Sequence, residues 1–289
     1  MTFKSALFVA CATALLTSAC GREKADVSFA PYGAGYETKP DFAYVEYTFP
    51  LAPAQLQTIT PKYLATLDQE QVDQIYARLT AGPIPDGAFD GGLFFPKGES
   101  GDRRLAEIIG GLKGAVVNLE GKKLELVGKT LWKGKVFYRD QRVLRNRIED
   151  LALLGPFIDG KSSDLQKITV NGKDAWLLFP AKLYCGQSLL DSRRESIIID
   201  YAFSDQLPGY RERPDFLAGR RGLKIRDEIR MVRPGFYLGR AYADRTFLLN
   251  FTLYNKEIAE RDGKAFVETG KVAEDCWPGT QRLTRTAAK

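Results

Sequence analysis

Lys224–Tyr254 reads KIRDEIRMVRPGFYLGRAYADRTFLLNFTLY, and its alternation predicts three consecutive antiparallel strands. Ile225, Ile229 and Met231 fall on one parity, and Arg226, Glu228 and Arg230 on the other. Pro234-Gly235 supplies the residues of a tight reversal. Phe236, Leu238 and Tyr242 alternate along the second strand, with Arg240 on their parity. Ala243-Asp244-Arg245 turns the chain again, and Phe247, Leu249, Phe251 and Leu253 give the third strand one apolar face. A meander of this kind must close on itself or pack against another sheet. The expected fold class is therefore mainly β, an antiparallel β-barrel carrying two or three short helices.

The chain has 289 residues, 44% of them hydrophobic, and no histidine. That length supports one β-rich domain, placed at residues 41–285, without help from a metal. The missing histidine removes the usual general base, the Ser-His-Asp and Cys-His arrangements and most zinc sites. Neither GxSxG nor SxxK occurs, and no glycine-rich phosphate loop precedes a helix. The remaining acid–base candidates are Asp200 with Tyr201, Asp227-Glu228 beside Arg226 and Arg230, and Asp191 near Arg193, each equally readable as an ion pair. No catalytic residue, metal or cofactor is assigned.

The N-terminus, MTFKSALFVACATALLTSAC, has a basic start at Lys4 and an apolar run too short to span a bilayer. Residues 1–19 are expected to be a signal peptide. Leu16-Thr17-Ser18-Ala19-Cys20 resembles the lipobox of bacterial lipoproteins, which implies lipidation of Cys20. An ordinary cut after Ala19 is the alternative. Gly21 in place of Asp resembles the pattern sent to the outer membrane, so the expected location is its periplasmic side. Residues 20–40 mix charge, Gly and Pro without period and read as a tether.

With Cys11 in the signal and Cys20 lipidated, Cys185 and Cys276 remain as an even pair in an oxidising compartment, and a disulfide is the default expectation. A catalytic thiol is the alternative, with no histidine to activate it. The formal net charge is +6, and loss of Lys4 leaves +5. Between Arg211 and Arg245, nine Arg and one Lys face five acids, so this window carries a surplus of five. The planar fork of Arg suits carboxylate or phosphate; a solvated, ion-paired strand face is the plainer reading. Nucleic acid does not fit an exported lipoprotein.

Elsewhere, Phe42–Phe49 alternates and reads as an aromatic strand. Leu67–Pro83 reads as a helix capped by Asp68 with Gln71 in a capping box and stopped by Gly82-Pro83. Leu93-Phe94-Phe95 reads as a short strand among glycines. A second helix is expected over residues 102–114, and residues 116–131 are a helix or a hairpin. Trp132–Tyr138 is a strand, Asn171-Gly172 joins two strands in a tight hairpin, and SIIIDYAF, residues 196–203, is a buried strand. A Pro/Gly/Arg loop leads from there into the meander, and the tail beyond Trp277-Pro278 is expected to be frayed.

Trp132, Gly134, Lys135 and Phe137, with Ile198-Ile199-Asp200-Tyr201 and Leu238-Gly239, resemble scattered motifs of the GXWXG-type lipocalin-like barrel proteins. The Gly-x-Trp-x-Gly signature itself is absent; Gly87 and Gly91 flank Ala88-Phe89-Asp90 instead. The resemblance implies a lipocalin-like barrel with a cavity and no particular reaction.

These readings combine into an expected function, a lipid-anchored envelope protein that binds an amphiphilic anion, a fatty acid or phospholipid-like molecule, in its barrel. Its expected ligand-binding residues are Arg226, Glu228, Arg230, Arg240, Asp200, Tyr201 and Trp132. The Arg-bearing face of the meander is expected to line the cavity. The alternatives are a structural lipoprotein docking an anionic partner and a histidine-independent hydrolase or isomerase.

Overall fold

The computed structural model of the chain describes residues 26–98, 132–151, 154 and 158–279. Its centre is a closed antiparallel barrel. The strands are β1 (Gly87–Phe94), β2 (Trp132–Tyr138), β3 (Val143–Ile148), β4 (Lys167–Val170), β5 (Lys173–Gln187), β6 (Glu195–Asp200), β7 (Ile225–Arg233), β8 (Phe236–Ala243) and β9 (Thr246–Tyr254). Each pairs with its neighbour in sequence from β5 to β9, β9 returns to β1, and β3 pairs with β5. Eight strands thus form an up-and-down lipocalin-like barrel, and β4 is an extra strand on the start of β5. The β4–β5 turn has both Asn171 and Gly172 at positive φ, 53° and 75°, as a two-residue primed turn requires.

Among the described residues six α-helices accompany the barrel: α1 (Phe42–Thr48), α2 (Pro53–Thr58), α3 (Pro61–Leu64), α4 (Gln69–Arg78), α5 (Glu212–Asp215) and α6 (Lys256–Thr269). That is more than the two or three expected. The expected strand at Phe42–Phe49 is a helix: Asp41 Oδ1 accepts from the backbone N–H of Ala43 and Tyr44, and Val45 is its one buried residue. Local capping overrides aromatic alternation there. α4 has the Asp68–Gln71 capping box, but it stops at Arg78, before Gly82, because Leu79 turns extended and Thr80 bridges to Met231 of β7. Leu93-Phe94 ends the eight-residue β1 rather than forming a separate strand. α6 went unread although its signals are present, with Asn255 accepting from Ile258 N–H and Gly270 left-handed at the C-terminus. The expected helix at 102–114, the ambiguous run 116–131, the end of the tail and residues 1–25 lie outside the described residues.

Two hydrophobic layers follow from strand parity. Inside the barrel, Phe89, Phe137, Leu144, Leu183, Ile197, Ile199, Ile229, Met231, Tyr237, Phe251 and Leu253 form one cluster. Outside β7 and β8, Val232, Phe236 and Leu238 meet Val72, Ile75 and Tyr76 of α4 and Leu79 just after it, with Ile59 and Leu64 from the segments before it. The lumen is filled at the end where Phe89 meets Phe137 and Tyr237 edge-on, with centroids 5.5 and 5.8 Å apart. Cys185 and Cys276 are joined, which fastens the segment after α6 to β5 at that same end. The chain from Val27 to Lys39, read as part of a tether, is packed on the domain: Ala30 exchanges two hydrogen bonds with Gln74, and Lys39 pairs with Glu70.

Candidate functional site in the barrel lumen

Lys135 is the residue around which the lumen becomes polar. In a regular strand Trp132 and Lys135 would face opposite sides. A register shift between Trp132 and Gly134, with Gly134 at φ 138°, turns both inward. Only glycine fits, because an added Cβ would overlap the Phe89 carbonyl on β1.

Lys135 Nζ donates to Asp227 Oδ2 at 3.0 Å, to the Tyr201 hydroxyl at 2.7 Å and to Asn146 Oδ1 at 3.0 Å. Trp132 Nε1 also donates to Asn146 Oδ1, at 2.9 Å, and Asn146 Nδ2 donates to Tyr201 and to the Phe179 carbonyl. Three rings surround the ammonium, those of Trp132, Tyr201 and Phe251, at 5.3 to 5.5 Å from their centroids. Lys135, Asn146, Tyr201 and Asp227 are all buried.

Burial favours the neutral amine of Lys135, but the Tyr201 phenol and the Asp227 carboxylate outweigh it and hold the lysine above its ordinary range. Burial pushes Asp227 upward against the pull of Lys135, and burial raises Tyr201 as well. The cluster is thus a cation kept charged beside a carboxylate that gains a proton more easily than usual.

Toward the Lys135 end of the lumen Leu93, Trp132, Ile225, Ala241 and Leu249 are partly buried, whereas Phe89, Phe137, Leu144 and Ile229 are buried. A surface cleft of about 830 Å³ lies at the opposite end between α6 and the Pro234-Gly235 turn. Of the arginines on that cleft, Arg139 pairs with Asp275 at 2.6 Å and Arg261 with Asp262 at 2.8 Å.

Of the residues expected from sequence, Trp132 and Tyr201 meet at this cluster. The arginines do not: the Arg-bearing face of β7 lies outside, under α4, because Ile225, Asp227, Ile229 and Met231 take the inward parity. Arg230 is fully buried and every N–H of its guanidinium is used, by Ser196 Oγ, Asp191 Oδ2 and the carbonyls of Tyr76, Asp191 and Arg194. Glu228 accepts from Arg226, from Leu189 N–H and from Tyr76. Arg240 pairs with Asp73 of α4 and donates to Tyr242. Asp200 accepts from Tyr184 and from Ala202 N–H. Lys135 and Asn146 were missed from sequence as site residues, and Asp227 was read there only as an acid–base candidate beside Glu228. Cys185, Glu195 and Cys276 lie close enough to suit a metal, but the two thiols are spent on the disulfide.

Among the described residues no helix is long and apolar enough to cross a membrane. No family model matches the chain, and no curated protein matches it. Among solved structures, the crystal structure of a protein from Thermomonospora curvata is similar at 18% identity and a TM-score of 0.35, covering 66% of this chain and 89% of that one. A likeness of that degree carries no argument about function.

Proposed function

We propose that this protein is a lipid-anchored barrel of the bacterial envelope that holds a small amphiphilic anion in the open half of its lumen. The observation that carries the reading is Lys135, a buried ammonium in a ring of aromatic side chains at the floor of an apolar, partly accessible wall. Small-molecule sites are mostly apolar with a few placed polar groups. Asp227 pairs with Lys135 at 3.0 Å. Because burial raises Asp227, an incoming carboxylate displaces it most easily when Asp227 takes up a proton, so ligand and proton bind together. The anchor at Cys20 and the outer-membrane location belong to the same proposal, supported by the Leu16–Cys20 motif.

The test is a calorimetric titration of the purified protein with a long-chain fatty acid and with the fatty alcohol of equal length. The acid is expected to bind more tightly than the alcohol, and Lys135→Met to remove that preference, about tenfold or more for one lost charge-assisted hydrogen bond. Equal binding of acid and alcohol to the native protein, or an unchanged preference in Lys135→Met, overturns the proposal.

A further inference from the structure

Arg78, the last residue of α4, is 6% exposed and has no carboxylate partner among the described residues. Its Nε donates to the Gln74 carbonyl at 2.9 Å, and one terminal nitrogen donates to the carbonyls of Ser28 and Phe49 at 3.0 and 2.6 Å. The other terminal nitrogen is buried with no acceptor. Burial lowers its pKa to about 10. Arg78 lines a cleft of about 660 Å³ together with Tyr44, Glu46, Tyr47, Pro50 and Leu51.

The acid in that cleft is already committed. Glu46 accepts from Arg193 at 2.9 Å and from Arg194, and Arg194 is itself buried with two further nitrogens lacking acceptors. Buried charge without a counter-charge is costly, and among the described residues Arg78 has none, so this corner suits an anion from outside. At the cleft mouth Tyr47 is 86% and Tyr44 52% exposed, and tyrosine is a side chain that settles at membrane–water interfaces. Ser28 and Phe29 dock beside Arg78, so only six positions separate Cys20 from the docked chain at Asp26, a reach of at most about 20 Å.

We infer that the α1–Arg78 cleft rests on the bilayer and takes the phosphate of an anionic phospholipid headgroup, with Tyr44 and Tyr47 in the interface. The inference rests on the lipid-anchored reading for its placement at a membrane. The chemistry stands on Arg78, which lines the cleft: a guanidinium fork matches phosphate at two points, and a phosphate oxygen gives its unpaired nitrogen an acceptor.

The full mature protein, purified from membranes, is mixed with vesicles of phosphatidylcholine alone or of phosphatidylcholine with phosphatidylglycerol. Flotation on phosphatidylcholine reports the anchor; hydrogen-exchange protection of residues 44–51 reports the cleft. The expected result is protection that requires phosphatidylglycerol, reduced about tenfold in apparent affinity by Arg78→Gln and weakened by Tyr47→Ser, whose exposed position leaves the melting temperature unchanged. Protection equal on both vesicles, none on either, or undiminished in Tyr47→Ser overturns the inference. So does equal protection by inorganic phosphate alone, which marks a site for free anions. Failure to float on phosphatidylcholine while phosphatidylglycerol still protects residues 44–51 overturns the anchor and upholds the cleft.

Discussion

Arg230 and Asp191 form an ion pair of 3.1 Å whose two side chains are shut off from water, and it ties the outer face of β7 to the β5–β6 connection beneath α4. Removing one member of a buried pair leaves the other uncompensated. Arg193 also holds Asp191, at 2.7 Å, and softens the loss. Arg230→Met is therefore expected to lower unfolding free energy by about 3 kcal/mol, the lower end for a broken buried pair, measured by urea denaturation. A loss below about 1 kcal/mol, the scale of a surface pair, contradicts the network described for Arg230.

The same carboxylate sets an acid response. Burial raises Asp191, but Arg193 and Arg230 outweigh it and hold its pKa below the ordinary 3.8. A depressed folded pKa contributes stability that is present above 3.8 and lost as pH falls through the folded value. Asp191→Asn is expected to be less stable than the native protein at neutral pH, with the difference shrinking below pH 3.8. A difference constant from neutral to acid pH refutes that role.

Asp227 works in the opposite direction. Its folded pKa is raised by burial above the ordinary 3.8, so its unfavourable ionisation is felt as pH rises through the folded value. Fatty-acid affinity is expected to fall across that window in the native protein and to be pH-independent there in Asp227→Asn. Parallel pH profiles for the two proteins argue against proton-coupled binding.

The Cys185–Cys276 bridge closes a separation of 91 residues, for which chain entropy gives about 4–5 kcal/mol before strain. Replacing both cysteines by serine is expected to lower the melting temperature by several degrees at least. The Lys135 cluster sits at the other end of the barrel, so fatty-acid binding below that temperature is expected to persist. Loss of binding in the folded double variant shows that the bridge shapes the site.

Gly134 is a sharper test of the lumen. Its φ of 138° and the adjacent Phe89 carbonyl leave no place for a Cβ, so Gly134→Ala is expected to destabilise the barrel by more than the roughly 1 kcal/mol of an ordinary strand substitution. Native stability in that variant contradicts the bulge that turns Trp132 and Lys135 the same way.

The meander was legible because β7 to β9 alternate strictly, and the disulfide because two cysteines were left over once the others were placed. The Asn171-Gly172 turn carried its own backbone requirement. α1 was misread because Asp41 decides it through two backbone bonds, whereas the aromatic alternation only imitates a strand. The site was hidden for two reasons. Lys135 and Asp227 stand 92 positions apart, and the bulge at Gly134 breaks the parity that sequence reading relies on. The arginines were assigned to the lumen because nothing local shows that α4 would lie over them with Asp73 and Tyr76 as partners. Parity separates two faces without saying which one looks inward.

The barrel closes where Leu93 of β1 meets Phe251 of β9, strands from opposite ends of the domain. A chain made N-terminus first can lay β2 beside β1 early, but the other edge of β1 stays bare until β9 has followed. Cys276 arrives later still. Completion of the barrel therefore waits on nearly the whole domain having emerged, and until then the exposed edge of β1 is open to pairing with another chain.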